Sequence, residues 1–130
     1  MKIRGFTLIE LLVVISIIGV LSTIGLTSFK TANEKARNSR RIADIQQLRS
    51  ALEMYRSEPG HTGYPTAETV GSDFSGISGY LSGKTVKDPK NSGSYVYSYT
   101  PAGCGATYCS SYTLTYYAEP EASPVPNYNP

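Results

Sequence analysis

The sequence predicts an α+β fold: a long N-terminal helix, with a transmembrane half and an amphipathic half, packed on a small antiparallel β-sheet head. Three observations predict it. Residues 11–29 form an uncharged apolar run. Apolar residues then recur at helical spacing as far as Tyr55, and two tyrosine-rich segments near the C-terminus alternate with period two. Because the chain has 130 residues, the head beyond the apolar run must be small.

The apolar run over residues 11–29 is long enough to cross a membrane. As a helix it would span about 28 Å, close to the roughly 30 Å hydrocarbon core of a bilayer. An ordinary secretory signal is cleaved after its apolar region, whereas here Lys2, Arg4 and Gly5 precede it. We therefore expect the helix to be kept after processing.

Glu10 is an unusual residue at the start of this segment. A carboxylate near the start of a spanning helix costs up to roughly 3 kcal/mol when it is pushed towards bilayer depth, so Glu10 needs a cationic partner. Cleavage between Gly5 and Phe6 would create an amino group one helical turn away, which could pair with Glu10 of the same or a neighbouring chain. Pairing between chains would set their stagger.

The first 30 or so residues resemble the prepilin N-terminus of type IV pilins and type II secretion pseudopilins. The resemblance is carried by Gly5, Phe6, Thr7, Leu8, Ile9 and Glu10 and by the aliphatic run that follows them. It implies that a membrane-embedded aspartyl prepilin peptidase cleaves after Gly5, which removes residues 1–5. The same enzyme would then methylate the new N-terminal residue, Phe6. It also implies an assembly role for Glu10.

The same resemblance implies a function. The expected function is a structural subunit of a type IV pilus-like filament; the alternatives are a major pseudopilin of a type II secretion system and a minor, adhesive or DNA-uptake pilin. The implied partners are other copies in a helical filament, the prepilin peptidase, an assembly platform protein with its ATPase, and inner-membrane lipid before assembly. The expected location is a single-pass inner membrane protein with a cytoplasmic N-terminus, and then an extracellular or periplasmic filament.

Charge gives conflicting indications about orientation and partners. More basic residues follow the span than precede it, so the positive-inside rule alone would keep the head in the cytoplasm. The leader motif and the cysteine pair place the head outside, and we follow them.

The chain has 12 basic and 10 acidic residues, and removal of the leader would balance them, which argues against nucleic-acid binding by net charge. The sequence predicts a solvated or inter-subunit helix face for one basic cluster: Lys35, Arg37, Arg40 and Arg41.

The helix is expected to continue through an amphipathic half over residues 30–57. Its apolar face is formed by Ile45, Leu48, Leu52 and Tyr55. Pro59 and Gly60 end it. The head over residues 58–119 then begins with a loop to about Gly83, in which a short docking segment is predicted: Ile77, Tyr80 and Leu81.

Two strands are predicted over residues 95–100 and 112–118, with a packed face of alternating residues: Tyr112, Leu114, Tyr116 and Ala118. The eleven residues 120–130 include four prolines and are expected to form an extended, mobile tail.

Between the strands, Cys104 and Cys109 have no second Cys or His pair with which to bind metal. A local disulfide is favoured over free thiols, and it implies an oxidising compartment.

No catalytic group is visible, so the chain is not expected to be an enzyme. The single histidine, His61, is interpreted as a surface loop residue. The segment from Lys87 to Tyr97 resembles the Asp-Pro loop of major pseudopilins, whose neighbouring loop can hold calcium. That resemblance makes Asp88 and Asn91 candidate calcium ligands, but Asp88 is the one clear acidic residue nearby, so no cofactor is predicted.

Overall fold

The computed structural model describes residues 5–120 and 122–129 and shows the expected α+β order. Helix α1 is Leu8–Arg56 and helix α2 is Ala67–Val70. A 3-10 helix, Ser75–Leu81, follows. The strands are β1 (Tyr64–Pro65), β2 (Ser98–Cys104), β3 (Tyr108–Ala118) and β4 (Ser123–Asn129).

The chain divides within α1 into two compact units. The first is Met1–Lys35, and the second, which we call the head unit, is Ala36–Pro130. The first unit contains the apolar half of α1. Among the described residues, α1 is the one helix whose length and composition would allow it to cross a membrane, with a mean hydropathy of 2.4 in its most apolar window.

The head unit has a core between the second half of α1 and the sheet. Of the predicted helix face, Ile45, Leu48 and Leu52 are fully buried and Tyr55 is 9% exposed. Ala51, which was not predicted, is fully buried as well. Across from it, the predicted face of β3 supplies Tyr112 and Leu114, which are fully buried, and Tyr116, which is nearly so. The predicted apolar faces of α1 and β3 are therefore confirmed. Ile77 and Leu81 of the predicted docking segment are buried as well.

Strand β3 is the centre of the sheet. It pairs antiparallel with β2 on one side, from Ser98 opposite Thr115 to Cys104 opposite Cys109. It also pairs antiparallel with β1 and with β4. Strand β2 begins at Ser98, three residues later than the predicted start at Tyr95. At their other ends β2 and β3 extend further than predicted, because the hairpin continues through the region that was expected to be an eleven-residue loop.

The expected mobile tail needs correction, because most of it is strand β4. Its backbone pairs with β3 over seven residues, from Ser123 opposite Ala118 to Asn129 opposite Tyr112. Pro124 and Pro126 alternate along β4, and proline fits an edge strand where its missing N–H faces away from the partner strand. The tail is extended, as predicted, but it is part of the sheet.

Candidate functional site

The start of α1 is organised by reciprocal hydrogen bonds between Thr7 and Glu10. The Thr7 backbone N–H and hydroxyl both donate to Glu10 Oε2, at 2.8 and 2.7 Å. In return the Glu10 N–H donates to Thr7 Oγ1 at 3.4 Å. This is a capping box, in which a Thr and a Glu three residues later satisfy N–H groups that the first helical turn leaves unpaired. Glu10 therefore starts the helix within its own chain.

The predicted cleavage site precedes this cap. Gly5 and Phe6 lie outside the helix, which begins at Leu8, and Phe6 is 83% exposed. An added Cβ at Gly5 would meet no atom within 4 Å. A protease needs an accessible segment of irregular backbone, and the Gly5–Phe6 bond meets that condition. The leader residues Lys2 and Arg4 lie outside the described part of the chain.

In the first unit, the large apolar side chains whose burial the structure describes are exposed. Leu8 is 85% exposed, and the following aliphatic side chains are also exposed: Ile9, Leu11, Leu12, Val13, Val14, Ile15, Ile17, Ile18, Val20 and Leu21. A continuous apolar surface of this extent is not stable in water and is typical of a membrane or protein interface. The surface therefore requires lipid or another protein.

Cys104 and Cys109 form the predicted disulfide. They lie opposite each other in the register of β2 and β3, with their Cα atoms 3.8 Å apart. The Gly105 N–H donates to the Tyr108 carbonyl at 2.8 Å inside the closed loop. The bond therefore ties the end of the hairpin, where Cys104 is exposed and Cys109 is buried.

A buried ionic cluster lies in the head unit around Arg41. The Arg41 side chain has no exposed surface. Its guanidinium donates to both carboxylate oxygens of Asp88, at 2.6 and 3.1 Å, to Glu119 Oε1 at 2.8 Å and to Asn38 Oδ1 at 2.7 Å. These contacts tie α1 to the loop before β2 and to the chain just after β3.

Glu119 is also contacted by Arg37, Asn38 and Lys90. Arg37 donates to both of its carboxylate oxygens, at 2.7 and 2.5 Å. The Asn38 side chain pairs with the Glu119 backbone, donating to its carbonyl at 2.8 Å and accepting from its N–H at 3.0 Å. Lys90 Nζ lies 3.9 Å from Glu119 Oε2. The end of β3 is thus fixed to α1 through side-chain and backbone groups.

These contacts keep both carboxyl groups ionised. Hydrogen bonds from Arg37 lower the pKa of Glu119 to about 2 and outweigh its burial. Burial acts to raise the pKa of Asp88, but hydrogen bonds from Arg41 and the Lys90 N–H hold it below its usual value. Burial opposes the charge of Arg41, yet Asp88 and Glu119 raise its pKa.

The cluster corrects the sequence-based interpretation of the basic residues. A solvated or inter-subunit face was predicted for all of them, but Arg41 is buried in its own chain and Arg37 is only 34% exposed. Arg40, whose side chain is 68% exposed, fits the prediction. The signal for Arg41 was its position four residues before Ile45, which places it on the apolar helix face.

Asp88 and Asn91 do not fit a calcium site as they lie here. Both oxygens of Asp88 accept from Arg41, and Oδ1 also accepts from the N–H groups of Lys90 and Asn91, at 2.8 and 3.4 Å. The contact that Asn91 makes with Asp88 comes from its backbone N–H. Among residues 5–120 and 122–129, no three His, Cys, Asp or Glu side chains are grouped to hold a metal ion.

His61 is only partly a surface residue. Its ring stacks on Tyr55 with centroids 4.1 Å apart, and Nδ1 lies 2.6 Å from the Tyr55 carbonyl oxygen. Because a carbonyl only accepts, Nδ1 carries the proton. His61 thereby satisfies a carbonyl in the last turn of α1, which is a structural role.

Comparison with known sequences supports the predicted resemblance. The family described as "Prokaryotic N-terminal methylation motif" matches residues 1–26. The chain is 45% identical over 65 residues to the type II secretion system core protein G of Escherichia coli K12, a match covering 50% of this chain and 43% of that protein. No solved structure matches the chain significantly.

Two further relatives extend the comparison. Core protein G of Vibrio cholerae serotype O1 is 31% identical over 90 residues, which covers 69% of this chain and 56% of that protein. The type IV major fimbrial protein FimA of Dichelobacter nodosus is 38% identical over 50 residues, which covers 38% of this chain and 32% of that protein. The matches thus cover between 32% and 56% of the length of these relatives. Their names are those of structural subunits rather than enzymes, as predicted.

Proposed function

We propose that this chain, a relative of the type IV pilins and type II secretion pseudopilins, is a major pseudopilin-like structural subunit of a type II secretion filament. The observation that carries the proposal is the exposed apolar surface of the first half of α1, with Glu10 at its start. Such a surface is stable only in lipid or against other apolar helices. A bundle of these helices at the centre of a filament would supply that environment.

Processing would convert the capping box into an assembly contact. Cleavage after Gly5 would leave Phe6, to be methylated by the prepilin peptidase, with its ammonium one residue from Thr7 and close to Glu10. In a water-poor bundle, Glu10 needs a cation, and the Phe6 ammonium of a neighbouring copy would supply it. The pair would fix the axial register between subunits.

Before assembly, the subunit would lie in the inner membrane with its N-terminus in the cytoplasm. The disulfide supports this orientation, because disulfides persist in oxidising compartments outside the cytoplasm. A platform protein and its ATPase would then move subunits from the membrane into a periplasmic or extracellular filament. These partners are inferred from the relationship alone.

A type IV pilus subunit is the second candidate. The similarity to FimA favours it, but that match covers 38% of the chain, whereas the match to Vibrio core protein G covers 69%. The longer similarity favours the pseudopilin over the pilus subunit. An adhesive or DNA-uptake role would need a further recognition surface.

A Glu10→Gln substitution tests the assembly function. It keeps the side-chain shape but removes the charge, so membrane insertion and cleavage should persist while incorporation into sheared filaments falls. Glu68→Gln, on the exposed start of α2, is the matched control and should assemble normally. Normal filament yield from Glu10→Gln would contradict the assembly mechanism. Deletion of the gene distinguishes the two filament types. If the chain is a pseudopilin, deletion should abolish protein secretion and leave surface pili unchanged.

A further inference from the structure

We propose that Lys30 and Lys35 bind the headgroups of anionic phospholipids at the membrane surface where the apolar half of α1 ends. Both lysines belong to the first unit, and both are exposed. The proposal rests on the membrane stage of the proposed function and does not depend on filament assembly. It adds a class of lipid and the residues that select it.

The two lysines follow directly after the apolar run. Phe29, the last apolar residue of the run, is 72% exposed, and Lys30 comes next in the helix. With Phe29 at the edge of the hydrocarbon core, the Cα atoms of Lys30 and Lys35 lie about 1.5 and about 9 Å beyond it along the helix axis. The headgroup region extends roughly 5–7 Å beyond the core on each side. Lys30 therefore starts inside this region and Lys35 just outside it.

The geometry of a helix brings both ammonium groups towards the lipid. Every Cα–Cβ bond in an α-helix is tilted towards the N-terminus of the helix, and the apolar run lies on the N-terminal side of both lysines. A lysine also has a long, flexible stem that can lie along an apolar surface while its charged end stays at the interface. Lys35 can therefore reach back to the headgroups that Lys30 already meets.

The two lysines face different lipid molecules. Five residues of an α-helix turn through about 500°, so the side chains of Lys30 and Lys35 leave the helix about 140° apart. A helix that lies flat on a membrane carries its basic residues along its polar face. A helix that crosses the membrane is surrounded by lipid, so cations on two of its sides can each bind a headgroup.

In the part of the chain that the structure describes, neither lysine has a carboxylate partner. Residues 11–43 include one acidic residue, Glu34, and five basic residues. The two arginines that contact Glu119 are engaged within the head unit. No described ion pair joins Lys30 or Lys35 to Glu34 or to another carboxylate. Both ammonium groups are therefore available to an external anion.

The phosphate of an anionic lipid supplies that anion at the right depth. A zwitterionic headgroup carries its own ammonium ion beside its phosphate, so its net charge is zero and it gains less from a lysine. Each lysine close to the membrane surface favours an anionic lipid by about fivefold. The contact depends on the distance from the span, so it forms in whichever leaflet holds this end of α1.

The test measures the lipid selectivity of full-length protein reconstituted in phosphatidylcholine vesicles. Spin-labelled phosphatidylglycerol and spin-labelled phosphatidylcholine are added in parallel, and electron paramagnetic resonance gives the fraction of each label that the protein immobilises. The double variant Lys30→Gln with Lys35→Gln removes both charges. Lys84→Gln with Lys87→Gln is the matched control, because it changes the net charge equally at two exposed lysines of the head unit. Resistance to alkaline extraction reports insertion of each protein.

Wild-type and control protein should immobilise phosphatidylglycerol in preference to phosphatidylcholine by about twofold or more, because the preference of about fivefold at each lysine is averaged over the whole lipid shell. The variant that lacks Lys30 and Lys35 should immobilise the two lipids equally. Raising the ionic strength from about 0.01 M to about 1 M should abolish the wild-type preference, since exposed charges are then screened.

Equal immobilisation of both lipids by inserted wild-type protein would overturn the proposal and leave the filament function standing. An unchanged preference in the variant that lacks Lys30 and Lys35 would do the same. Loss of the preference in the control variant would overturn it too, because net charge alone would then explain the selectivity. Release of the wild-type chain by alkaline extraction would contradict both this proposal and the membrane stage of the proposed function.

Discussion

Arg41 and Asp88 form a buried two-point ion pair across 47 residues of sequence, with both side chains fully shielded from solvent. The pair places a helix residue and a loop residue in one fixed arrangement. A buried pair gains little over a well-packed apolar pair, but removal of one partner leaves an uncompensated charge. The head unit therefore depends on both members together.

Asp88→Ala should destabilise the head unit by about 3–5 kcal/mol, because Arg41 would remain buried with fewer partners. The double replacement Arg41→Met with Asp88→Leu should cost less than Asp88→Ala alone, since it removes both charges. Chemical unfolding of full-length protein in detergent measures both. Glu68→Ala is the exposed control and should shift stability by no more than about 0.5 kcal/mol. A double variant as unstable as the single one would refute the charge argument.

The head unit should lose stability in acid. The pKa of Glu119 is lowered to about 2 and that of Asp88 is also lowered, whereas unfolded Glu and Asp titrate near about 4.3 and 3.9. Their contribution is therefore complete above about pH 4.5 and is lost as the pH falls towards about 2. Unfolding free energy measured against pH should decline over that window. Glu119→Gln should be less stable at neutral pH and should show a shallower decline; an unchanged slope would contradict the assignment.

Gly76→Ala should destabilise the packing of the 3-10 helix on α2. A Cβ at Gly76 would clash with the carbonyl group of Thr69, which is backbone and cannot move aside easily. Gly79 lies in the same 3-10 helix, and a Cβ there would meet no atom within 4 Å. Gly79→Ala is thus the matched control. We expect a lower unfolding midpoint for Gly76→Ala alone; equal midpoints would show that the contact yields.

Loss of the disulfide should weaken the head unit modestly. Cys104 and Cys109 close a short loop, with a sequence separation of 5, for which the chain-entropy model gives about 2 kcal/mol. Replacement of both cysteines by serine should lower the unfolding free energy by about that amount in oxidising buffer. In reducing buffer, the variant and wild type should become equally stable. A difference that persists after reduction would assign the effect to packing of Cys109 instead.

The sequence predicted the features that rest on periodicity. Ile45, Leu48 and Leu52 follow the helical period, and Tyr112 and Leu114 follow the strand period, so both buried faces could be identified. The buried ionic cluster could not. Asp88 and Glu119 lie 47 and 78 residues after Arg41 in the sequence. No local sequence pattern indicates which distant carboxylates an arginine will contact.

Strand β4 shows a second limit of sequence-based prediction. Pro124 and Pro126 lower the strand propensity of the segment, so composition predicted a free tail. At the edge of a sheet, however, one side of a strand needs no donors, and alternate prolines fit that side. Whether β3 has a partner there is a property of the tertiary fold.

The most direct test of the central claim is the N-terminus of the protein recovered from sheared filaments and, separately, from membranes. Intact mass and N-terminal sequencing of both fractions decide it. The filament account predicts a methylated Phe6 terminus in the filament fraction. Retention of Met1 in every fraction, with no chain in filaments, would identify an ordinary signal-anchored protein and contradict the account.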